Sequence, residues 1–459
     1  MSPVADKEVV IIGNGPAGLA LSSFLSGVSP FYCGPHPDPV LHDRLSENAH
    51  LSLLDQDLSW VSGWDELSSS LRPINAFYDQ LVRPAADLGE LRPSSLEWRL
   101  NPDKAVDHLV LGDTAIGGSW NGYDKEMAAV SYHSWLNLPG YSIGEWLGDE
   151  PPMSRIPAVV YCKYMEKYAK HLGIRKHFRP HSRVTSITKE GHLWRIKGAF
   201  LKCGVKWQTF NVTAKRVVMA CGKTKIRRLQ VEGEGESKNI AYDMKCLRKK
   251  LTRLLTHRSC PSDIRVVVVG DGISSADMVH FCLSQGVRVL HVIKKSEKQL
   301  RATVMSRLSA SHYPEYHQVH RLMTGRETNE LYERRTDCTA TRLSDGCATV
   351  SGKGNGFESE EPYNLLGVCI GRESDGAGLL DKKYTFDGYQ CREDATLLSV
   401  GSFAGDHFVR YLVGGCLEVA RGIHSALGTP PSVLDADPAA LERSFCSSSS
   451  NSSDSLPFC

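Results

Sequence analysis

Two separate stretches of the chain, residues 9–21 and 266–277, share one pattern of apolar and small residues. Each begins with four consecutive β-branched apolar residues, which is typical of a parallel strand buried on both faces. Each then passes through Gly-x-Gly into a stretch with helical spacing of apolar positions. A second apolar run follows in each case, at 31–33 and at 287–293. The pattern therefore predicts a strand, turn, helix and second strand twice in one chain.

The rest of the chain adds three weaker patterns. Residues 183–218 alternate in short runs, which predicts a β-meander that ends in a buried strand at 216–222. Residues 325–362 are polar and rich in turn formers, so they form either loops or a weak sheet. Residues 397–420 repeat the strand, turn and helix pattern. Together these patterns predict an α/β fold with two Rossmann-like dinucleotide-binding domains and a β-meander.

The order of the patterns predicts that one domain is interrupted by the other. We expect the first dinucleotide-binding domain at residues 1–225, the second at 226–385, and the return of the chain to the first at 386–440. The remaining segment, 441–459, is dominated by serine and asparagine, a composition that predicts disorder.

The charges of the chain nearly balance, with 54 Lys and Arg against 52 Asp and Glu, for a formal net charge of +2. They are interspersed, so we expect a small-molecule partner and neither a nucleic acid nor an anionic membrane. The most apolar stretch, 9–25, is interrupted by three glycines and a proline, which makes it a poor membrane span. Because the amino terminus resembles neither a secretory signal nor a transit peptide, we expect a cytoplasmic protein, with organelle association left open.

The 14 cysteines occur without a Cys-x-x-Cys pair, which argues against a zinc ribbon and a dithiol redox centre. A disulfide reductase is therefore not favoured, although it would share the double fold. The histidines at 312, 317 and 320 do not form a metal-binding pattern either, because Pro314 interrupts their register. We expect no metal.

The first glycine turn has the three positions that a dinucleotide requires. Gly13 permits the tight turn, Gly15 lets the backbone approach a pyrophosphate, and Gly18 lets the helix pack close to the strand. With Pro16 and Ala17 between them, these residues are candidate cofactor contacts at a helix amino terminus. The alternative is a tight strand-to-helix connection without a ligand.

The second turn keeps Gly270 and Gly272 but has Ser275 in the third position, so Ser274 and Ser275 become candidate phosphate contacts. Its second strand ends in Lys294-Lys295, where an acidic residue would bind a ribose 2′-hydroxyl. Cations at this point favour a 2′-phosphate and hence NADPH over NADH, unless both lysines simply face solvent.

The first unit lacks an acid directly after its second apolar run. The nearest one is Asp38. Either the ribose is held differently, or this site binds more weakly than its glycines suggest.

Two such turns in one chain resemble the flavoproteins that have two dinucleotide-binding domains, the first for FAD and the second for NADPH. Three further segments are similar to that group. Gly117-Gly118-Ser119-Trp120 resembles the Gly-Gly-x-Trp of flavin-containing and N-hydroxylating monooxygenases. Gln56-Asp57-Leu58 is similar to a flavin-side segment of the N-hydroxylases, and 218–222, ending in Gly222, resembles the Ala-x-Gly strand that links the domains.

The segments 53–60, 111–120 and 401–411 together resemble the oxidative stress-induced growth inhibitor family. The resemblance spans 9–425 and is poor over 300–395. It implies an FAD- and NADPH-dependent monooxygenase that acts on a small molecule with O₂, and a role in restraining cell growth. Either Gly401 or Gly405-Asp406 is expected to meet the flavin ribityl phosphate, with Asp406 preferred. Trp120 is either a core aromatic or a wall of the flavin pocket.

The chain departs from the related enzymes in two places. It lacks the Phe-x-Gly-x-x-x-His fingerprint of flavin-containing and Baeyer-Villiger enzymes, and its strand at 368–372 lacks Ala-Thr-Gly. A regulatory protein that keeps the fold and acts through protein partners is therefore the alternative. No catalytic side chain is singled out, because a cofactor would carry the chemistry.

Overall fold

The structure, a computed structural model, describes residues 4–64, 71–148, 153–202, 204–258, 260–354 and 356–434. The segment 441–459, for which the sequence predicts disorder, lies outside the described residues. The chain divides into two compact units. Unit 1 comprises Met1–Asn121, Ala128–Gly222 and Gly376–Cys459, and unit 2 comprises Gly122–Met127 and Lys223–Asp375. The assignment of FAD to the first domain and NADPH to the second stays a prediction.

Unit 1 begins with eight strands and five α-helices. The strands are β1 (Lys7–Ile12), β2 (Val28–Tyr32), β3 (Leu96–Leu100), β4 (His108–Leu111), β5 (Phe178–Arg179), β6 (Ser182–Glu190), β7 (Leu193–Lys202) and β8 (Lys206–Met219). The helices are α1 (Pro16–Leu25), α2 (Pro39–Ser46), α3 (Pro73–Val82), α4 (Ile143–Leu147) and α5 (Ala158–His171).

Unit 2 follows. Its strands are β9 (Lys225–Ile226), β10 (Ile240–Ala241), β11 (Arg265–Val269), β12 (Arg288–Val292), β13 (Tyr332–Arg335), β14 (Cys338–Ser344), β15 (Cys347–Gly352), β16 (Glu358–Pro362), β17 (Leu365–Val368) and β18 (Arg372–Glu373). Its helices are α6 (Met244–Thr256), α7 (Ile273–Ser284), α8 (Glu297–Leu300) and α9 (Pro314–Met323).

The chain then returns to unit 1 with β19 (Phe386–Asp387), β20 (Gln390–Cys391), β21 (Leu397–Ser399), α10 (Gly401–Ala404) and α11 (Val409–Leu427). Short 3-10 helices lie at Ser59–Gly63, Ala86–Leu88, Pro102–Lys104, Gly118–Gly122, His133–Leu136, Ile174–His177, Pro261–Asp263, Val304–Arg307 and Gly376–Leu379. Among the described residues, none of the helices is long and apolar enough to cross a membrane.

The central sheet of unit 1 is parallel, with the strand order β21-β8-β1-β4-β5. Ile12 at the end of β1 lies beside Leu111 of β4 and Met219 of β8, so the carboxyl ends of these strands meet at one edge. The first part of β8 pairs antiparallel with β7, and β7 pairs with β6. The predicted meander is thereby confirmed, and its last strand is the one that continues into the parallel sheet.

The second strand predicted for the first unit is wrong in its position. β2 does not pair with β1; it pairs antiparallel with β3 in a separate two-stranded sheet. The strand that pairs with β1 on that side is β4, which begins 80 residues later than β2. Pro30 lies within β2 and lacks the backbone N–H that a central strand would donate on one of its sides.

Unit 2 contains the second strand, turn, helix and strand as predicted. β11 and β12, which α7 connects along the chain, pair in parallel within a parallel sheet of order β10-β17-β11-β12-β13. The polar region at 325–362 forms mainly the antiparallel sheet β14-β15-β16 after β13, which confirms the weak sheet rather than loops. The final strand and helix pattern is confirmed by β21 and α11.

Helix α11 packs against α1 and α3 in the core of unit 1. A buried ion network joins α3 to the amino end of α11: the Asp79 carboxylate, 2% exposed, binds Arg83 and also Arg410. Arg410 binds the more exposed Asp87 at 2.9 Å as well. Because both arginines depend on Asp79, this carboxylate holds α3, the loop after it and α11 together.

Candidate functional site

The Gly13–Gly18 turn connects β1 to α1 at the carboxyl edge of the unit 1 sheet. Gly13 has a φ of +128°, and a Cβ atom there would overlap the Ala220 carbonyl oxygen at the end of β8. A Cβ atom at Gly18 would likewise overlap the Gly13 carbonyl oxygen. Both glycines are therefore required by close backbone contacts within the protein, as the pattern predicted for a tight turn and a close helix.

Gly15 has a different environment. A Cβ atom at this position would meet only the Gly117 oxygen and the Gly118 Cα, each at 3.9 Å. Gly15 is the N-cap of α1, and no side chain caps the helix there. The first-turn amides of Ala17 and Gly18 thus begin a helix whose amino end is the usual place for an anion. The geometry fits the pyrophosphate of a dinucleotide.

Asn14 fastens the loop after β4 to this turn. Its side chain is 2% exposed, and its Nδ2 donates hydrogen bonds to the carbonyl oxygens of Thr114 at 2.9 Å and Ala115 at 3.0 Å. The Gly117 amide donates to the Asn14 carbonyl oxygen at 2.9 Å. A Cβ atom at Gly118, where φ is +59°, would come within 2.9 Å of the Gly15 Cα. Gly118 is therefore needed for the two backbones to pass each other, whereas a Cβ atom at Gly117, where φ is +114°, would meet the side chain of Met165 at 2.9 Å.

This arrangement supplies an acid that sequence reasoning missed. Because β4 lies beside β1, the residues after β4, and not those after β2, occupy the place where a ribose is bound in such folds. Asp113 follows β4 by two residues and is exposed at the carboxyl edge of the sheet. The nearer acid in sequence, Asp38, instead caps α2 by accepting hydrogen bonds from the amides of Val40 and Leu41.

Trp120 packs against α5. Its ring is 4.6 Å from that of Tyr161, in a T-shaped arrangement, and the ring remains half-buried. Burial raises the pKa of Tyr161 well above its usual value. Tyr161 and the next two tyrosines of the same face, Tyr164 and Tyr168, donate hydrogen bonds to backbone carbonyls of the loop at 136–141. Trp120 is thus held by a rigid aromatic support next to the Gly-Gly pair.

The segment after β21 contacts the amino end of α1. Gly401 has a φ of +61°, and a Cβ atom there would lie 2.7 Å from the Cβ of Ala17. Three glycine-containing segments, 13–18, 117–118 and 401, therefore converge at the amino end of α1, where Pro16 is the first helical residue. Gly222 follows β8 at this sheet edge, with no atom within 4 Å of a Cβ placed there.

Asp406 is buried and already paired within the protein. One carboxylate oxygen accepts a hydrogen bond from Arg72 at 2.8 Å, and the other accepts one from the Tyr389 hydroxyl at 3.0 Å. Burial raises the pKa of Asp406, and the positive charge of Arg72 opposes that shift. The carboxylate therefore anchors the loop between α10 and α11, a structural role that the sequence pattern did not indicate.

Gln56 is not brought to the glycine turn. Its Nε2 donates to the backbone carbonyls of Asn48 and Leu51, and the Gln56 backbone carbonyl accepts a hydrogen bond from Arg421 of α11 at 2.7 Å. On the same helix, Cys416 contacts Ala17 at the start of α1. Arg421 lies five residues further along, about 7.5 Å of helix rise towards the other end of α1. Gln56 therefore stabilises the loop before it, away from the amino end of α1.

The second turn, in unit 2, has the same design. A Cβ atom at Gly270, where φ is +140°, would overlap the Cys369 carbonyl oxygen, whereas Gly272 has no atom within 4 Å of such a position. Gly272 is the N-cap of α7, without a side-chain cap. Ser274 is exposed in the first turn of the helix. Ser275 is buried, and its hydroxyl donates to the Gly272 carbonyl at 2.7 Å, so it serves close packing.

His291 of β12 holds this turn through a contact with the Gly270 carbonyl. It is fully buried, with Nε2 2.7 Å from the Gly270 carbonyl oxygen and Nδ1 3.0 Å from the Tyr332 hydroxyl. Burial lowers the pKa of His291 to about 4, so the ring is neutral at physiological pH. A neutral ring satisfies both contacts by donating from Nε2 and accepting at Nδ1. Lys294, two residues after β12, is exposed, and Lys295 is paired with Asp271 at 3.1 Å.

The chain is similar in sequence to other proteins over most of its length. It is 44% identical over 434 residues to an oxidative stress induced growth inhibitor homologue of Caenorhabditis elegans, covering 92% of this chain and 95% of that protein. It is 30% identical over 461 residues to the human oxidative stress-induced growth inhibitor 1, covering 90% of this chain and 94% of that protein. A scan of protein-family models gave no match.

Solved structures show the same fold. The bacillithiol disulfide reductase of Bacillus cereus matches with a TM-score of 0.58 at 14% identity, over 92% of this chain and 99% of that one. The flavin-containing monooxygenase of Stenotrophomonas maltophilia matches with a TM-score of 0.53 at 12% identity, over 92% and 99% of the two chains. The chain therefore has the fold of FAD- and NAD(P)-binding flavoproteins, with Rossmann-like domains.

Proposed function

Because the chain belongs to the family of oxidative stress-induced growth inhibitors, we propose that it is an FAD- and NADPH-dependent, monooxygenase-like flavoprotein that restrains cell growth under oxidative stress. The observation that carries the proposal is the convergence of segments 13–18, 117–118 and 401 at the amino end of α1, which leaves room above Gly15. A second uncapped helix, α7, begins after a similar turn in unit 2.

In unit 1, the residues at the start of α1 would hold FAD. The amides of Ala17 and Gly18 would face the pyrophosphate, with Gly15 admitting it. Asp113 at the end of β4 would accept a hydrogen bond from a ribose hydroxyl. The backbone at Gly401 and Gly222 and the ring of Trp120 would line the rest of the site, and Asp406 would hold the loop after Gly401 in place.

In unit 2, the start of α7 would hold the pyrophosphate of NADPH beside Gly272 and Ser274. Ser275 would keep the helix close to the strand by its small size and its bond to Gly272. Lys294 and Lys295 would bind the 2′-phosphate, since an ammonium group pairs with a phosphate more strongly than with a neutral hydroxyl.

The chemistry supplied by bound FAD is acceptance of a hydride from NADPH and use of O₂ to insert one oxygen atom into a small nucleophilic or carbonyl substrate. The chain contributes position and exclusion of water. On the side of Trp120, the tyrosine hydroxyls of α5 donate hydrogen bonds to the loop at 136–141, which gives this wall of the site a rigid support.

Purification of the full chain tests this proposal directly. We expect a yellow protein with a flavin absorption spectrum, and oxidation of NADPH under air that is faster than that of NADH. A colourless protein that takes up no added FAD would refute the flavoprotein function. Equal rates with NADH and NADPH would remove the role given to Lys294 and Lys295.

A second candidate function is a regulator that binds nucleotide but acts through protein contacts. Its support is that the relatives are named for growth inhibition and the enzymes share only the fold. The Gly15→Asp variant separates the two, because Gly15 has room for a side chain while a negative charge there repels a pyrophosphate. Growth arrest that persists with a folded, flavin-free Gly15→Asp protein would favour the regulator.

A further inference from the structure

Unit 2 places a negative charge inside its own phosphate turn. Asp271 stands between Gly270 and Gly272, the two residues that shape the turn, and its Oδ1 is 3.1 Å from the Nζ of Lys295. The pair is partly exposed, with side-chain exposures of 24% for Asp271 and 42% for Lys295. One of the two lysines suited to a 2′-phosphate is thus already bound to an acid of the same site.

We propose that Asp271 limits the preference of this site for NADPH over NADH by competing with the 2′-phosphate for Lys295. The inference rests on the proposed NADPH site and adds the residue that controls it. When a 2′-phosphate arrives, it replaces the Asp271 carboxylate as the partner of Lys295. No covalent bond changes in this exchange.

The position of Asp271 is fixed by its surroundings. The Gly270 carbonyl, immediately before it, is held by the buried His291 at 2.7 Å, and Tyr332 holds the other ring nitrogen of His291 at 3.0 Å. Gly270 is also packed against the Cys369 backbone. The backbone of the turn is therefore held in place. An incoming phosphate is accommodated by movement of the flexible side chains of Asp271 and Lys295.

The strengths of the two pairings favour the exchange. A partly exposed ion pair contributes little stability, because water screens it and both side chains lose freedom. A phosphate offers a lysine a doubly charged partner with several acceptor oxygens. NADH lacks that group, so it leaves Lys295 on Asp271 and gains nothing from it. Asp271 therefore weakens NADPH binding by the free energy of its own ion pair with Lys295, and it leaves NADH binding nearly unchanged.

The test measures the binding of NADP⁺ and NAD⁺ to the full chain by isothermal titration calorimetry, since the oxidised forms cannot reduce a bound flavin. We expect Asp271→Asn to tighten NADP⁺ binding about two- to fivefold, because Lys295 is released from a partly exposed ion pair, and to change NAD⁺ binding less. Lys295→Met should weaken NADP⁺ binding about tenfold. When Asp271→Asn is combined with Lys295→Met, it should no longer tighten NADP⁺ binding.

Asp345→Asn provides the matched control, because it removes one exposed negative charge from unit 2 at the β14–β15 turn. It should leave both affinities unchanged. Unchanged NADP⁺ affinity in Asp271→Asn, or equal gains for the two cofactors, would overturn the inference while leaving the proposed function intact. A wild-type chain that binds neither cofactor would instead refute the NADPH site itself.

Discussion

Substitution of Gly15 by alanine separates cofactor binding from folding. The added Cβ would meet its nearest protein atoms at 3.9 Å, an ordinary contact, and Gly15 does not have the positive φ that disfavours side chains. The fold should therefore tolerate the methyl group. Alanine is a poorer N-cap than glycine, which costs about 1 kcal/mol at most. The melting temperature should fall by only a few degrees.

The same methyl group lies where a pyrophosphate must approach α1. Displacing the phosphate from the helix amides removes one or two charge-assisted hydrogen bonds, at about 1.5 to 3 kcal/mol each. A loss of about 3 kcal/mol corresponds to FAD binding about 100-fold weaker. Quenching of FAD fluorescence on titration into apoprotein measures the affinity, and thermal unfolding measures the stability.

Gly173→Ala is the matched control in unit 1. Gly173 has a φ of +65° and no atom within 4 Å of a Cβ placed on it, so alanine there pays about 1 to 2 kcal/mol of backbone strain without a steric clash. We expect reduced stability with unchanged FAD affinity. If Gly15→Ala binds FAD as tightly as the wild type, the phosphate is not at the amino end of α1, and the reasoning from the converging glycines is wrong.

Three other outcomes follow from buried groups. Asp79→Asn should destabilise unit 1 by about 3 to 5 kcal/mol in chemical unfolding, since it removes the carboxylate that both buried arginines share and leaves Arg410 with the exposed Asp87 as its carboxylate partner. Asp87→Asn, at the exposed end of the network, should cost under about 1 kcal/mol. Lowering the pH from 7 to 5 should destabilise unit 2 by about 2 kcal/mol, because the His291 ring is protonated near pH 6.5 in the unfolded state and only near pH 4 in the folded state. A His291→Gln variant that keeps this pH dependence would show that His291 does not cause it. Tyr164→Phe should lower the free energy of unfolding by about 1 to 3 kcal/mol, because it leaves the buried Leu138 amide without its acceptor. An unchanged melting temperature would show that this hydrogen bond does not stabilise the protein.

Local patterns predicted those elements whose burial is uniform. β1, β11 and α7 were identified because four apolar residues in a row precede each glycine turn, and the parallel pairing of β11 with β12 followed from the short connection. The two turns were recognisable since backbone contacts at Gly13 and Gly270 admit no side chain. These contacts join residues that are far apart in sequence, Gly13 with Ala220 and Gly270 with Cys369, but each one requires a glycine at a fixed place in the turn, and the Gly-x-Gly spacing shows that requirement locally.

The neighbour of β1 was missed because it is distant in sequence. Residues 28–107 form β2, β3 and several helices before the chain reaches β4, and nothing local states which strand joins the sheet. Pro30 was the available signal against β2, since proline cannot donate in a central strand. Asp113 could then have been identified from its place after β4. The pairing of Asp406 with Arg72, across more than 300 residues, left no comparable signal.

The division of unit 1 into distant segments has a consequence for synthesis of the protein. β21 pairs with β8, and α11 packs against α1 and α3, so unit 1 lacks a sheet strand and a core helix until residues 397–427 have left the ribosome. Most of unit 2 is complete by then. A chain stopped near residue 390 would expose the edge of β8 and the apolar side of α1, and would be a target for aggregation and degradation. Late nonsense or frameshift changes therefore eliminate the first domain rather than trimming a terminus.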